Sequence, residues 1–262
     1  MNGKPENLFE MVRRALVAQA DLGIGEIVVR PNGVSGPRET ARLIAGSRRV
    51  VPTAAAVAFE TRETEVFQST IDMGTETQFE SLSAHNEAIC NCQLCPLGAT
   101  RNKFVYGVGN PKAGIMFIGE APGADEDRLG EPFVGRAGQL LDKILAAMKL
   151  SRGDVYIANI LKCRPPGNRD PEPAEMEKCF PYLREQVRLI KPKLICALGR
   201  IAAQALMRTT APLGTLRGAW HIYEGIPLIV TYHPAALLRF EKYKKETWED
   251  MKKLMARYES MK

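Results

Sequence analysis

Four short apolar runs, at residues 113–119, 155–160, 194–198 and 227–232, alternate along this chain with stretches of helical apolar spacing. Each run is rich in Ile, Val or Leu, is bounded by Gly, Pro or a polar cluster, and has the length of a buried strand. Helical spacing fills residues 137–149, 173–190 and 200–207, and returns at 244–258 after the last run. Strands alternating with helices imply parallel pairing, because a crossover is needed to bring the next strand alongside in the same direction. A parallel sheet has both faces covered, which accounts for runs that are apolar throughout. The fold class is therefore α/β, a parallel sheet flanked by helices on both faces, over residues 84–262.

Ahead of this domain the composition changes. Leu8, Met11, Val12, Leu16 and Val17 stand near helical spacing with Arg13 and Arg14 between them, so residues 1–20 are expected to form an amphipathic helix. It would pack on the main domain or dock on a protein partner. Residues 21–83 are poor in aromatics and full of Gly, Pro, Thr, Arg and Ala, a composition that buries too little to offset the entropy of ordering it. They read as a low-complexity linker, disordered or loosely helical.

Charge divides near the same boundary. Residues 1–85 carry nine Lys/Arg against eleven Asp/Glu, so the formal charge of +6 belongs entirely to the carboxyl-terminal part. A basic domain favours a polyanionic partner. No apolar run approaches the roughly 20 residues of a membrane helix, and the amino terminus lacks the basic-then-apolar form of a signal peptide. A cytoplasmic, monomeric protein without a membrane partner is expected.

The six cysteines stand at 90, 92, 95, 163, 179 and 196. In a cytosolic chain of this size they are metal ligands or core residues, not a disulfide framework. Cys196 lies inside an apolar run and reads as a small core residue. Cys92 and Cys95 form a Cys-x2-Cys pair, and with the single thiols Cys163 and Cys179 they make a four-thiolate set that suits zinc or an iron–sulfur cube alike. Spacing does not separate these metals. Cys90 competes for one ligand position and ranks below Cys92, which alone has the two-residue gap to Cys95.

The first apolar run breaks at Gly119 and hands over to a loop crowded with carboxylates and glycines, at the strand edge where open α/β sheets bind ligands. Here the residues become familiar. Gly119-Glu-Ala-Pro-Gly-Ala-Asp-Glu-Asp with Pro132-Phe-Val-Gly-Arg-Ala-Gly, then Asn159-Ile-Leu-Lys-Cys-Arg-Pro-Pro-Gly-Asn-Arg, then His233-Pro-Ala-Ala-Leu-Leu-Arg, resemble the family 4 uracil-DNA glycosylases, the iron–sulfur branch of that superfamily. The resemblance spans about residues 84–258 and leaves the first 80 residues outside. It implies a four-stranded parallel sheet between helices, and a [4Fe–4S] cluster on Cys92, Cys95, Cys163 and Cys179 that braces chain segments without redox work. It implies a DNA repair enzyme that flips deoxyuridine out of DNA and hydrolyses its glycosidic bond, releasing uracil and leaving an abasic site. Two competing readings are a non-catalytic iron–sulfur DNA-binding module that keeps the base pocket, and a zinc-stabilised nucleotide-binding protein.

Breaking that bond makes the sugar cation-like and the departing base anionic, so opposite charges must be stabilised close together. By resemblance His233 faces the uracil O2. Glu120 serves the sugar and the attacking water with the backbone at Ala121, and Asp125, Glu126 and Asp127 are alternative acids. The resemblance gives Phe133 the role of stacking on the base and Glu126 that of crowding its C5. Asn159 can accept from N3–H and donate to O4. Leu237, Leu238 and Arg239 would plug the gap left by the flipped nucleotide. Arg164, with Arg101, Lys103, Lys162 and Arg169, is a candidate phosphate contact. Ala235 departs from the commoner family form, which has Ser after the Pro, and one phosphate contact is lost with that hydroxyl.

Overall fold

A computed structural model of the chain describes residues 79–261. The expected helix at 1–20 and the linker up to residue 78 lie outside the described residues. Among the described residues one sheet contains β1 (Val108–Gly109), β2 (Ile115–Gly119), β3 (Tyr156–Asn159), β4 (Leu194–Leu198), β5 (Trp220–Tyr223) and β6 (Ile226–Thr231), in the order β1-β3-β2-β4-β6-β5. The four central strands pair in parallel and are the four apolar runs. The expected four-stranded sheet is thus the middle of a six-stranded one, with antiparallel strands added at both edges. Strand β1 has only two residues, one of them Gly109, and carries no pattern to read. Strand β5 joins β6 through Glu224 and Gly225, both at positive φ (48° and 81°), the geometry of a two-residue hairpin turn. Glutamate is an uncommon first residue there, so the usual Asn-Gly signal is missing.

The helices are α1 (Leu82–Ile89), α2 (Leu97–Thr100), α3 (Ala124–Leu129), α4 (Arg136–Ala147), α5 (Pro173–Ile190), α6 (Arg200–Met207), α7 (Leu213–Leu216), α8 (Pro234–Arg239) and α9 (Tyr243–Glu259). Alternate strand residues feed two cores. Met116, Ile118, Ala158, Ile195, Ala197, Leu228 and Val230 face Leu183, Val187, Ala202 and Leu206 of α5 and α6. Ile115, Phe117, Ile157, Cys196 and Ile229 face Leu141 and Leu145 of α4 and Met251 and Leu254 of α9. This period-two division, buried on both faces, is what a central parallel sheet requires. Cys196 is wholly enclosed there, in the core role expected of it.

The linker reading ran to residue 83, and the structure corrects its end. The Phe79 N–H donates to Glu185 at 3.2 Å and its carbonyl accepts from Arg188 at 2.7 Å. Ser81 caps α1 by accepting from the Ala84 N–H. Long-range polar contacts tie these residues to α5, and local composition does not reveal them.

Helix α4 approaches the loop before it so closely that a β-carbon on Gly138 would collide with the Phe133 carbonyl. In an open helix Gly→Ala gains up to about 1 kcal/mol. Here Gly138→Ala is expected to cost about 1–3 kcal/mol through overpacking. Urea unfolding measures it, and an unchanged or raised midpoint would contradict the close approach.

Candidate active site

The carboxyl ends of β2, β3 and β6 open into one cleft of about 530 Å³. Strand β3 lies on one side of β2 and β4 on the other, so the cleft sits where the strand order reverses, the usual ligand position in an open α/β sheet. Glu120, Ala121, Glu126, Phe133, Asn159, His233 and Arg239 all line it. Seven residues spread over 120 positions of sequence therefore share one wall-to-wall space.

Asn159 pairs in register with Gly119 and is 2% exposed. Its Oδ1 is buried without a hydrogen-bond partner among the described residues. A buried acceptor left unpaired costs about 1–3 kcal/mol, so this atom is poised for a donor that arrives with a ligand. A β-carbon on Gly119 would come within 2.5 Å of that Oδ1 and 2.6 Å of the Phe133 ring. Only glycine lets the amide and the ring stand together.

Phe133 is buried, and its ring centroid lies 5.4 Å from that of His233. Its φ of 56° is costly for a bulky residue, of order 1–3 kcal/mol. Two clamps hold the loop in place. Arg152 donates to the carbonyls of Pro132 and Phe133 at 2.6 and 3.0 Å. The Glu126 carboxylate accepts from the N–H groups of Val134 and Gly135, both at 2.9 Å, and of Gly123 at 3.1 Å. Sequence reasoning missed this structural work of Arg152 and Glu126, whose partners lie across the loop. Asp127 is likewise spent on structure, accepting from the N–H and side-chain amide of Asn102. Asp125 pairs with Arg128 on the surface, so Glu120 and Glu126 are the acidic-loop carboxylates that reach the cleft.

His233 begins α8 and caps it, its Nδ1 accepting from the Ala235 N–H at 3.2 Å. That bond places the ring proton on Nε2, the only other nitrogen. Burial, with Arg239 nearby, lowers the imidazole pKa to about 4. The ring is a neutral donor at physiological pH. Gly199, at φ 92°, backs it closely enough that a β-carbon there would meet the His233 Cβ at 2.9 Å. Burial and the charge of Asp170 raise the pKa of Glu120 against the pull of Arg200, which itself pairs with Asp170 at 2.6 Å.

Several expected DNA contacts need correction. Leu237 is 1% exposed and packs beside Leu140, Ile144 and Met251, so it cannot plug a duplex; Leu238, 40% exposed, can. Neighbours on a helix point about 100° apart, and the packing of α8 against α4 decides which faces out. Lys162 is fully buried, its Nζ donating to the Asn159 carbonyl at 2.9 Å and to Gln186 at 2.6 Å. It supports the amide reader from behind and touches no phosphate. Arg101 donates to the carbonyls of Cys90 and Cys92 and to the Cys163 sulfur. Arg169, which lines the cleft, is held by Glu175 at 2.6 Å. Arg164 hydrogen-bonds Asn168 on the same loop, outside the cleft lining.

Cys163 and Cys179 are buried together with Leu97 and Leu161, and Cys95 packs against them. The Tyr182 hydroxyl donates to the Cys92 sulfur at 3.2 Å, the Arg101 guanidinium to Cys163 at 3.3 Å, and the Lys162 N–H to Cys179 at 3.3 Å. These donors favour thiolate, the form that binds metal, against burial, which raises the pKa of the Cys163 and Cys179 thiols overall. Cys90 instead donates to the Glu87 carbonyl. Among the described residues no three His, Cys, Asp or Glu side chains are gathered as one ion requires. The chemistry of this all-sulfur set, with donors aimed at three of its four thiols, suits a thiophilic metal centre.

The model of the uracil DNA glycosylase superfamily matches residues 106–252. The chain is 47% identical to a type-4 uracil-DNA glycosylase of Pyrobaculum aerophilum, over 63% of this chain and 89% of that protein. It is 46% identical to the type-4 enzyme of Archaeoglobus fulgidus, over 67% and 92%. It is 41% identical to that of Thermotoga maritima, over 62% and 86%.

The lowered pKa of His233 makes a prediction about stability. Between pH 6.5 and about 4 the unfolded chain takes up a proton at this imidazole and the native protein does not. Stability is lost as pH falls through that window. His85, 1% exposed and also lowered to about 4 by burial, acts in the same direction. His233→Gln should flatten part of the slope in denaturant unfolding measured from pH 7 to 4. A ring titrating near 6.5 by NMR would contradict the neutral donor.

Proposed function

The chain belongs to the uracil DNA glycosylase superfamily, and on that footing we propose that it excises uracil from DNA by hydrolysing the N-glycosidic bond of a flipped-out deoxyuridine, leaving an abasic site. The observation that carries the reading is the unpartnered Asn159 Oδ1 beside the Phe133 ring, in a cleft walled by a neutral imidazole. Uracil N3–H supplies the missing donor, and O4 accepts from the same amide. Cytosine presents the reverse pattern and would leave buried groups unpaired on both sides, a mismatch that rejects a substrate by several orders of magnitude. The Phe133 ring stacks on the base, and the loop held by Glu126 leaves little room for a methyl at C5.

Extruding the nucleotide costs a few kcal/mol. Leu238 fills the gap it leaves, while Arg239 takes a phosphate at the mouth. As the C1′–N1 bond lengthens, its electron pair moves onto the uracil ring and O2. The His233 Nε2–H donates to that oxygen, and its neutrality suits it to stabilise an anion without protonating it outright. Glu120 and the Ala121 backbone seat a water whose oxygen bonds to C1′. The water's proton passes to the Glu120 carboxylate, which burial makes the stronger base. Cys92, Cys95, Cys163 and Cys179 would hold a [4Fe–4S] cluster, which when bound supplies a fixed cross-link between the segment around Cys92, the 163–169 loop and α5. The protein acts as a monomer on uracil-containing DNA.

The iron-loaded protein should release free uracil from single- or double-stranded oligonucleotides. His233→Ala should lower kcat by about 10²–10³, and Asn159→Ala should also abolish efficient release, both with cluster absorbance intact. Absence of uracil release from the loaded protein would overturn the proposal. Cys163→Ser and Cys179→Ser should lose iron and acid-labile sulfide together. A variant that keeps both would remove that cysteine from the ligand set.

A further inference from the structure

Beyond the cleft, the end of α8 and the start of α9 carry a strip of rings and cations to which uracil excision gives no task. Phe240 follows α8 with 52% of its surface exposed. Its ring meets that of Tyr243 edge-on at 5.9 Å, and Tyr243 stacks on Tyr232 at 4.2 Å with only 15° between the planes. The Arg217 guanidinium lies 5.0 Å from the centre of the Tyr232 ring, held by Asp250 at 3.0 Å. The Lys242 ammonium lies 5.2 Å from the centre of Tyr243. The rings are therefore backed by a packed stack that ends in a fixed cation.

Residues 239–245 read Arg-Phe-Glu-Lys-Tyr-Lys-Lys, four cations against one carboxylate, Glu241, which pairs with Lys244 at 2.7 Å, while Glu246 beyond them faces Arg217 at 3.9 Å behind the stack. Arg239, Lys242, Lys244 and Lys245 are all exposed. Aromatic faces underlain by packing and bordered by cations are what hold single-stranded nucleic acid: bases stack on the rings and the cations follow the phosphates. The strip is continuous with the cleft, since Arg239 lines that cleft and Leu238 stands two residues before Phe240. An apolar protein partner would have no use for the excess of lysines. Intact duplex would offer phosphates to those lysines but no free base face to Phe240.

We infer that Phe240 and Tyr243, with Lys242, Lys244 and Lys245, form a stacking track for unpaired bases on the strand that carries the uracil, so that the protein holds single-stranded or locally opened DNA more tightly than closed duplex. The inference rests on the cleft being the base pocket, but its test does not need excision.

Affinity of the iron-loaded protein is measured for uracil-free oligo-dT and for a fully paired duplex of the same length at one fixed salt concentration. Phe240→Ala should weaken oligo-dT binding by about tenfold or more and duplex binding by less than about threefold. Phe240→Trp should keep single-strand affinity. Tyr243→Leu, which retains packing volume without a stacking face, should weaken it. On saturating uracil-containing substrate Phe240→Ala should keep its kcat. Phe240→Ala binding oligo-dT as tightly as the parent, or losing both DNA forms equally, would overturn the track and leave the excision reading standing. Parent protein that binds oligo-dT as expected but releases no uracil would overturn excision alone.

Discussion

The parallel pairing of β2 with β3 sets Gly119 opposite Asn159, and the rest of the cleft depends on that register. Side chains alternate along a strand, so a slip of one residue would turn the Asn159 amide into a helix-covered face. Both faces of this sheet are buried, and such a slip of β3 would exchange Tyr156 and Ala158 with Ile157 between the two cores. The apolar packing that stabilises the fold is thus also what aims the polar reader. Gly119 completes the arrangement by leaving the space that the amide and the Phe133 ring share.

The cleft's unfavourable features are each offset by contacts outside it. Phe133 stands at positive φ because Arg152 and Glu126 grip the backbone on either side of it. Asn159 keeps an unpaired oxygen while its carbonyl is held by the buried Lys162 ammonium, itself satisfied by Gln186. Burial lowers the Lys162 pKa to about 8, against the influence of the Cys179 and Cys163 sulfurs beside it. The thiol site and the amide reader therefore share one short segment, residues 159–163. A centre bound at those thiols would stiffen the strand end that presents Asn159.

Much of this was legible in the sequence, because a buried parallel strand and an amphipathic helix leave strong local patterns. The bounds of β4, α5 and α6 coincide with the apolar spacing. Glu120, Asn159 and His233 could be placed at strand ends from the pattern, and the family resemblance joined Phe133 and Glu126 to them. What escaped was the direction of side chains whose environment is made by distant residues. Lys162 looks like a surface cation until Gln186 and the Asn159 carbonyl surround it. Leu237 and Leu238 are equivalent in text, and only α4 and α9 distinguish them. Phe133 stands in a polar loop, and the clamps from α3 and Arg152 that turn it inward are not marked by local composition. Edge strands β1 and β5 were missed for a related reason: they are short and partly exposed, so hydrophobic pattern does not mark them.

Uracil excision as proposed needs three strand ends that form a slot for one pyrimidine, with a waiting acceptor, a stacking ring and a neutral donor. A crystal structure of the iron-loaded protein with free uracil tests it most directly. The base is expected parallel to the Phe133 ring, with its N3–H on Asn159 Oδ1 and its O2 about 2.7–3.2 Å from His233 Nε2. Uracil bound elsewhere, or lying in the cleft with Asn159 Oδ1 turned away from N3, would contradict it.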